Sequence, residues 1–152
     1  MGIEGGLFIV DDAELVEKLE LLGAGVKEGG KIKLPLIEAA YFQEKGAIDT
    51  GKSVGELIEG KEDEFAVLKQ LRDSGRILRI GEGDSEFIRI YRKGIRVGED
   101  RTEGILKVLK EGERPDLLSD VAVAGKMRKE LTYAFVGKDG ITFVKAYRAG
   151  FE

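Results

Sequence analysis

The 152-residue chain contains no histidine, cysteine, tryptophan or asparagine, and only two prolines. Each absence removes a class of chemistry. Without histidine there is no Ser-His-Asp or Cys-His nucleophile system, and no imidazole to act as acid or base near neutrality. Without histidine and cysteine a zinc site lacks its usual donors, and carboxylate sites for Mg²⁺ or Ca²⁺ are the open metal chemistry. No disulfide can form. There is no signal-like start and no apolar run long enough to span a bilayer. The expectation is a soluble cytoplasmic protein with no membrane contact.

What is present is charge: 36% of residues are Asp, Glu, Lys or Arg, for a net charge of −4, against 42% hydrophobic residues. That is enough apolar material for one modest domain, or for two small ones sharing a boundary. Abundant Lys, Arg and Glu with few amides and thiols is the composition that heat resistance selects. The charge is divided unevenly. Residues 1–60 carry 12 acids against 6 lysines, a net −6, whereas residues 61–152 carry 17 acids against 19 bases, a net +2. All ten arginines lie between Arg72 and Arg148. Arginine presents a planar fork of donors that fits phosphate oxygens, so the pattern suggests an acidic front module and a back module that tolerates polyanions.

Periodicity gives the elements. Residues 6–10 read as a strand, and Asp11 or Asp12 caps a helix whose Leu15, Val16, Leu19 and Leu22 recur at helical spacing until Gly23. A glycine-rich loop runs to Gly30 and a strand covers residues 31–34. Pro35 opens a helix that continues to Lys45, with Leu36, Ile37, Ala40 and Tyr41 inward and Gly46 after its end. Ser53 and Glu56 have the spacing of a capping box. Residues 62–74 form an amphipathic helix with Phe65, Leu68 and Leu71 inward. Strands follow at 76–80, 86–91 and 104–109. A helix capped by Ser119 or Asp120 runs through Leu131, then a strand at 132–136, a turn at 137–140 and a last strand at 141–148. The predicted class is α+β: a small α/β module over residues 1–60 and a mixed-sheet module over residues 61–152.

Gly46-Ala47-Ile48-Asp49-Thr50-Gly51-Lys52-Ser53 matches the phosphate-loop pattern GxxxxGKS. Such a loop cradles phosphates with backbone N–H groups only when it leaves a buried strand and opens a long helix. Here a helical pattern precedes it and barely two turns follow before Gly60. A turn followed by a capped helix is the preferred reading, and a nucleotide-binding protein is kept as the lesser alternative.

Segments in both halves carry a resemblance. Leu34-Pro35-Leu36-Ile37-Glu38-Ala39-Ala40-Tyr41-Phe42 followed by Gly46 is similar to the front domain of the archaeal tRNA-splicing endonuclease family, with its L-x-L-x-E-A-x-Y helix. In the second half, the segments from Phe65 to Gly75, from Ile88 to Gly94, from Ala124 to Leu131 and from Thr132 to Arg148 resemble, in order, that family's leading helix, tyrosine strand, lysine helix and C-terminal strands. The resemblance implies an endonuclease-like fold. It also implies cleavage of pre-tRNA at bulge-helix-bulge junctions, where a 2′-hydroxyl attacks the adjacent phosphorus to leave a 2′,3′-cyclic phosphate and a 5′-hydroxyl. No metal or cofactor is needed.

In that register the family's catalytic tyrosine falls on Tyr91 and its lysine on Lys129. Read without the resemblance, Tyr91 is a packing residue in a sheet and Lys129 a cation favoured by a helix C-terminus. The family's third catalytic residue, a histidine on the loop after the tyrosine, has no counterpart: the stretch reads Val97-Gly98-Glu99-Asp100-Arg101-Thr102-Glu103. Loss of a positioned general acid removes about 10²–10⁴-fold in rate, and an exposed carboxyl among arginines is ionised at neutral pH and cannot donate. Arg89, Arg92, Lys93, Arg96 and Arg101 form a basic cluster that either contacts RNA phosphate, in which case binding is salt-sensitive, or is a solvated surface.

The resemblance therefore implies a structural, non-catalytic subunit that pairs with a His-bearing catalytic subunit in a heterotetramer acting on pre-tRNA. Asp139 on the hairpin loop, with Ile141, Phe143 and Tyr147 on the last strand, would meet the partner, since an exposed edge can pair with another chain. The alternative within the enzyme class is a self-sufficient ribonuclease using Tyr91 and Lys129 without histidine.

Overall fold

Fourteen elements are seen in the computed structural model, which describes residues 1–80, 87–91 and 104–150. In the front half they are β1 (Gly2–Glu4), β2 (Leu7–Val10), α1 (Ala13–Leu21), β3 (Val26–Glu28), β4 (Lys31–Pro35), α2 (Leu36–Glu44) and α3 (Val54–Leu57). Then come α4 (Glu62–Asp73), β5 (Leu78–Arg79), β6 (Ile88–Ile90), β7 (Gly104–Lys110), α5 (Leu117–Met127), β8 (Glu130–Gly137) and β9 (Gly140–Ala146). The class is α+β, with one antiparallel and one mixed sheet.

The front sheet has the order β1-β2-β4-β3, antiparallel throughout. Phe8 and Val10 of β2, and Ile32 and Leu34 of β4, alternate inward and are fully buried, each burial contributing about 1.5–3 kcal/mol. Helices α1 and α2 pack on this sheet. Asp12 caps α1 by accepting the Leu15 N–H at 3.0 Å. Two short strands, β1 and β3, escape the sequence reading. β3 is wholly exposed, so it carries no burial alternation, and it lies within the predicted glycine-rich loop. Helix α2 is buried from Ile37 through Phe42, which is why it shows no clean apolar stripe.

The second sheet has the order β5-β6-β7-β8-β9. All pairs are antiparallel except β7 with β8, whose crossover is α5. One face packs on α4, while α5 covers the other at β8. The α4 face joins the front core, so that Phe8, Leu34, Phe42, Leu68, Ile88, Leu106 and Ala134 belong to one buried cluster. Ile105, Leu109, Ala124, Leu131 and Tyr133 form a second cluster under α5.

Polar contacts, one of them buried, join the halves along α2 and α4. Glu38, 1% exposed, accepts from Arg72 Nη2 at 2.7 Å and from the Gly25 N–H at 2.9 Å. Arg72 also donates to the Leu22 and Gly23 carbonyls at 2.7 and 2.9 Å, at the end of α1. Gly25 is required there: its φ is +56°, and a Cβ would stand 2.3 Å from the Lys33 carbonyl oxygen. One turn further along α2, the Tyr41 O–H donates to Asp73 at 2.8 Å and Lys45 Nζ lies 2.9 Å from the same carboxylate. Glu44 pairs with Lys69.

Two helix boundaries differ from the sequence expectation. Helix α5 begins after Asp116, with no side-chain cap from Ser119 or Asp120, and ends at Met127 rather than Leu131. Asp120 is instead turned inward, 5% exposed. The helix stops because Arg128 adopts a left-handed conformation, φ +55°, and the Arg128 and Lys129 N–H groups donate to the Gly125 and Ala124 carbonyls. That pair of bonds is a Schellman closure, usually built on glycine.

Candidate functional site

Strand register sets the site. Ile90 pairs with Gly104, and Gly104 pairs with Glu130, so the end of β6 and the starts of β7 and β8 lie side by side. Tyr91 is the residue after β6 and Lys129 the residue before β8. They therefore leave the same end of the sheet two strand spacings apart, roughly 10 Å between backbones. The sheet makes that closeness possible only because residue 104 is glycine: a Cβ there would stand 2.7 Å from the Glu130 carbonyl oxygen.

Tyr91 is 4% exposed. Its N–H donates to the Ile77 carbonyl at 3.0 Å, its carbonyl accepts from Arg76 at 3.3 Å, and the Arg79 guanidinium lies 5.9 Å from its ring centroid. Arg89 is half-buried, opposite Arg79 on β5 and Ile105 on β7. Lys129 is half-buried and follows the helix end instead of riding on the helix. Arg92, Lys93, Arg96 and Arg101 lie outside the described residues.

Beside Lys129 a groove of about 900 Å³ opens between the end of α5, the start of β8 and the end of β9. Among the described lining residues the cations are Lys126, Arg128, Lys129, Lys145 and Arg148, and the one carboxylate, Glu130, pairs with Lys145 at 3.0 Å. Sequence reading missed this cluster, because Lys126 and Arg148 are 22 positions apart and only the β8–β9 pairing brings them together. Behind it, under α5, Asp120 accepts the Tyr133 O–H at 2.7 Å and faces Lys107 Nζ at 3.5 Å. Burial and the Asp120 carboxylate push the Tyr133 phenol well above its usual range, so it stays protonated and anchors α5.

The four residues expected at a partner interface are spread along the hairpin. Asp139 sits in the exposed turn between β8 and β9, at the end of the sheet away from Lys129. Ile141 is half-buried and Phe143 is 36% exposed, both on β9. The last strand ends at Ala146, short of the expected 148, so Tyr147 lies beyond it, 82% exposed, at the Lys129 end.

The GxxxxGKS segment leaves helix α2, and α3 after it has four residues. Its groups are already used: Gln43 accepts from the Thr50 N–H and donates to the Lys52 carbonyl, Asp49 accepts from the Gly51 N–H, and Ser53 closes a capping box with Glu56. Few amides remain for a phosphate. Among the described residues no group of three or more Asp or Glu is gathered as a metal site, and no helix is long and apolar enough to cross a membrane.

No family model matches the sequence. Curated relatives do. A tRNA-splicing endonuclease of Thermococcus kodakarensis is 31% identical over 135 residues, covering 76% of this chain and 77% of the relative. The chain belongs to the tRNA-splicing endonuclease family. A family member from Thermococcus onnurineus is 34% identical over 125 residues, with 72% and 71% covered, and one from Methanothermobacter thermautotrophicus is 28% identical over 127 residues, with 74% and 75% covered.

Proposed function

We propose that this chain is a structural, non-catalytic subunit of a heteromeric tRNA-splicing endonuclease, acting on pre-tRNA beside a catalytic subunit that carries the histidine. The observation that carries this reading is compositional: 152 residues of an RNA-cleaving family contain no histidine. In-line transesterification needs a base for the 2′-hydroxyl, a cation for the phosphorane oxygens and an acid for the departing 5′-oxygen. The sheet end offers a phenol in Tyr91 and an ammonium in Lys129. At their ordinary pKa values none of the residue types present is an acid both protonated and labile near pH 7: lysine and tyrosine hold their protons too tightly, and an ordinary carboxyl has lost its own.

Surface features support assembly. Strand β9 is the outer strand of its sheet, and Phe143 and Val144 are exposed on it, 36% and 43%. Leu117 and Leu118 at the start of α5 are also exposed. A free edge next to apolar side chains is a surface that another chain's strand can cover.

The test is cleavage of a bulge-helix-bulge RNA by the purified chain, by a His-bearing subunit, and by the two together. Cleavage by the mixture alone, with 2′,3′-cyclic phosphate ends, is the expected result. Cleavage by this chain unaided overturns the reading in favour of a histidine-independent ribonuclease.

A further inference from the structure

Arg128 occupies the wrong backbone conformation for an arginine. Its φ of +55° and ψ of +45° are left-handed, and it is the only non-glycine residue with positive φ among the described residues. The Schellman closure of α5 imposes that conformation, and glycine satisfies it without a Cβ penalty. Twelve glycines among the described residues adopt positive φ, so the chain uses glycine freely where the backbone turns this way. At position 128 it does not.

The side chain gives a reason. Arg128 is exposed, forms no salt bridge among the described residues, and lines the groove that also holds Lys126, Lys129 and Arg148. Non-glycine residues held in left-handed backbone collect where the side chain serves a function. A planar guanidinium among other cations, with the nearby carboxylate of Glu130 already paired to Lys145, is arranged for an external anion, and arginine matches phosphate oxygens bidentately.

We propose that Arg128 is an RNA-phosphate contact kept in place against its own backbone preference, and that the groove beside Lys129 is a backbone-tracking RNA site. This rests on the reading of the chain as part of an RNA-cleaving assembly, and it adds residues that the cluster read from the sequence does not include. The groove opens at the sheet end where Lys129 emerges, so RNA lying in it passes that end.

The test compares Arg128→Gly, Arg128→Ala and, as a charge-matched control on the front sheet, Lys31→Ala. Each is measured in the full chain and in the reconstituted assembly, with a bulge-helix-bulge RNA as probe. Arg128→Gly is expected to raise the melting temperature by about 1–3 °C while weakening RNA binding about 5- to 10-fold near 0.1 M salt. It should also lower the slope of log K against log salt by nearly one. Arg128→Ala should reproduce the affinity loss without the thermal gain, and Lys31→Ala should change neither. Unchanged RNA affinity in Arg128→Gly overturns the inference, as does a fall in its melting temperature. Loss of subunit association in Arg128→Ala with RNA affinity intact also overturns it, and assigns the groove to a protein partner. If the unaltered assembly binds no RNA, the functional reading itself fails; binding by the unaltered assembly that the variants retain sinks this inference alone.

Discussion

At the residue scale the most consequential contact is the Glu38–Arg72 pair, which ties α2, α4 and the end of α1 into one buried knot. Removing one member of such a pair leaves the other charged and dry, at about 3–5 kcal/mol. Arg72→Ala is expected to lose that much in urea denaturation at pH 7. The loss also has a pH signature. Burial raises the Glu38 carboxyl above 4.5, and the Arg72 guanidinium and Gly25 N–H pull it back. A carboxyl that holds its proton more tightly when folded gives stability that is complete below the unfolded pKa and is lost as pH rises through the folded one. Without Arg72 the carboxyl climbs further, so the deficit of Arg72→Ala should be smaller near pH 4 than at pH 8. A deficit independent of pH would contradict this assignment. Asp73 works with the opposite sign. Lys45 and then Tyr41 lower its pKa below 3.8, so its stabilisation is present above 3.8 and lost as pH falls through the lower folded value. Tyr41→Phe, which removes a bond from a phenol pushed up to about 12, should cost about 1 kcal/mol at neutral pH.

At the scale of elements, the sheet end depends on how tightly β7 and β8 run together. A Cβ at residue 104 has only the Glu130 backbone carbonyl to push against, 2.7 Å away. Gly104→Ala is therefore expected to destabilise by about 1–3 kcal/mol and to lower hydrogen-exchange protection first at Leu131 and Thr132. Strand β9 makes a different kind of prediction. Val144 is 43% exposed, so Val144→Lys should leave the melting temperature of the isolated chain within about 1 °C while weakening its co-elution with a catalytic subunit; a variant that still co-elutes would place the interface elsewhere. Most elements were legible because their signals are local: the Asp12 cap, the Ser53–Glu56 box, the alternation in β4 and the periodicity of α4. Two strands were hidden: β3 because it buries nothing, and β1 because three residues are too few to show an alternation. The end of α5 was missed because an arginine stands where a helix stop ordinarily shows glycine.

For the whole molecule, a buried cluster that runs from Phe8 to Ala134 couples the two sheets energetically. A single cooperative calorimetric transition is therefore expected rather than two. The family was legible in the chain because it lay in residue identities and their order: the ordered motifs pointed to it. The missing histidine carries only the proposed reading of a subunit without its own acid. The groove beside Lys129 was not legible, because it is assembled from α5, β8 and β9 by a parallel crossover and a hairpin. Nor was the buried state of Glu38, although a lone acid flanked by Ile37, Ala39 and Ala40 was the available clue.

As a non-catalytic subunit, this chain does no bond-breaking at its sheet end in the assembled enzyme. Single-turnover cleavage of a bulge-helix-bulge RNA by an assembly reconstituted from a His-bearing subunit and this chain measures that directly. With Tyr91→Phe in this chain, the rate is predicted to stay within about twofold of the unaltered assembly, whereas removal of the partner's histidine should cost about 10²–10⁴-fold. A loss of 10²-fold or more from Tyr91→Phe, in an assembly that still forms and still binds RNA, would show that this chain's own tyrosine takes part in the chemistry and would contradict the account.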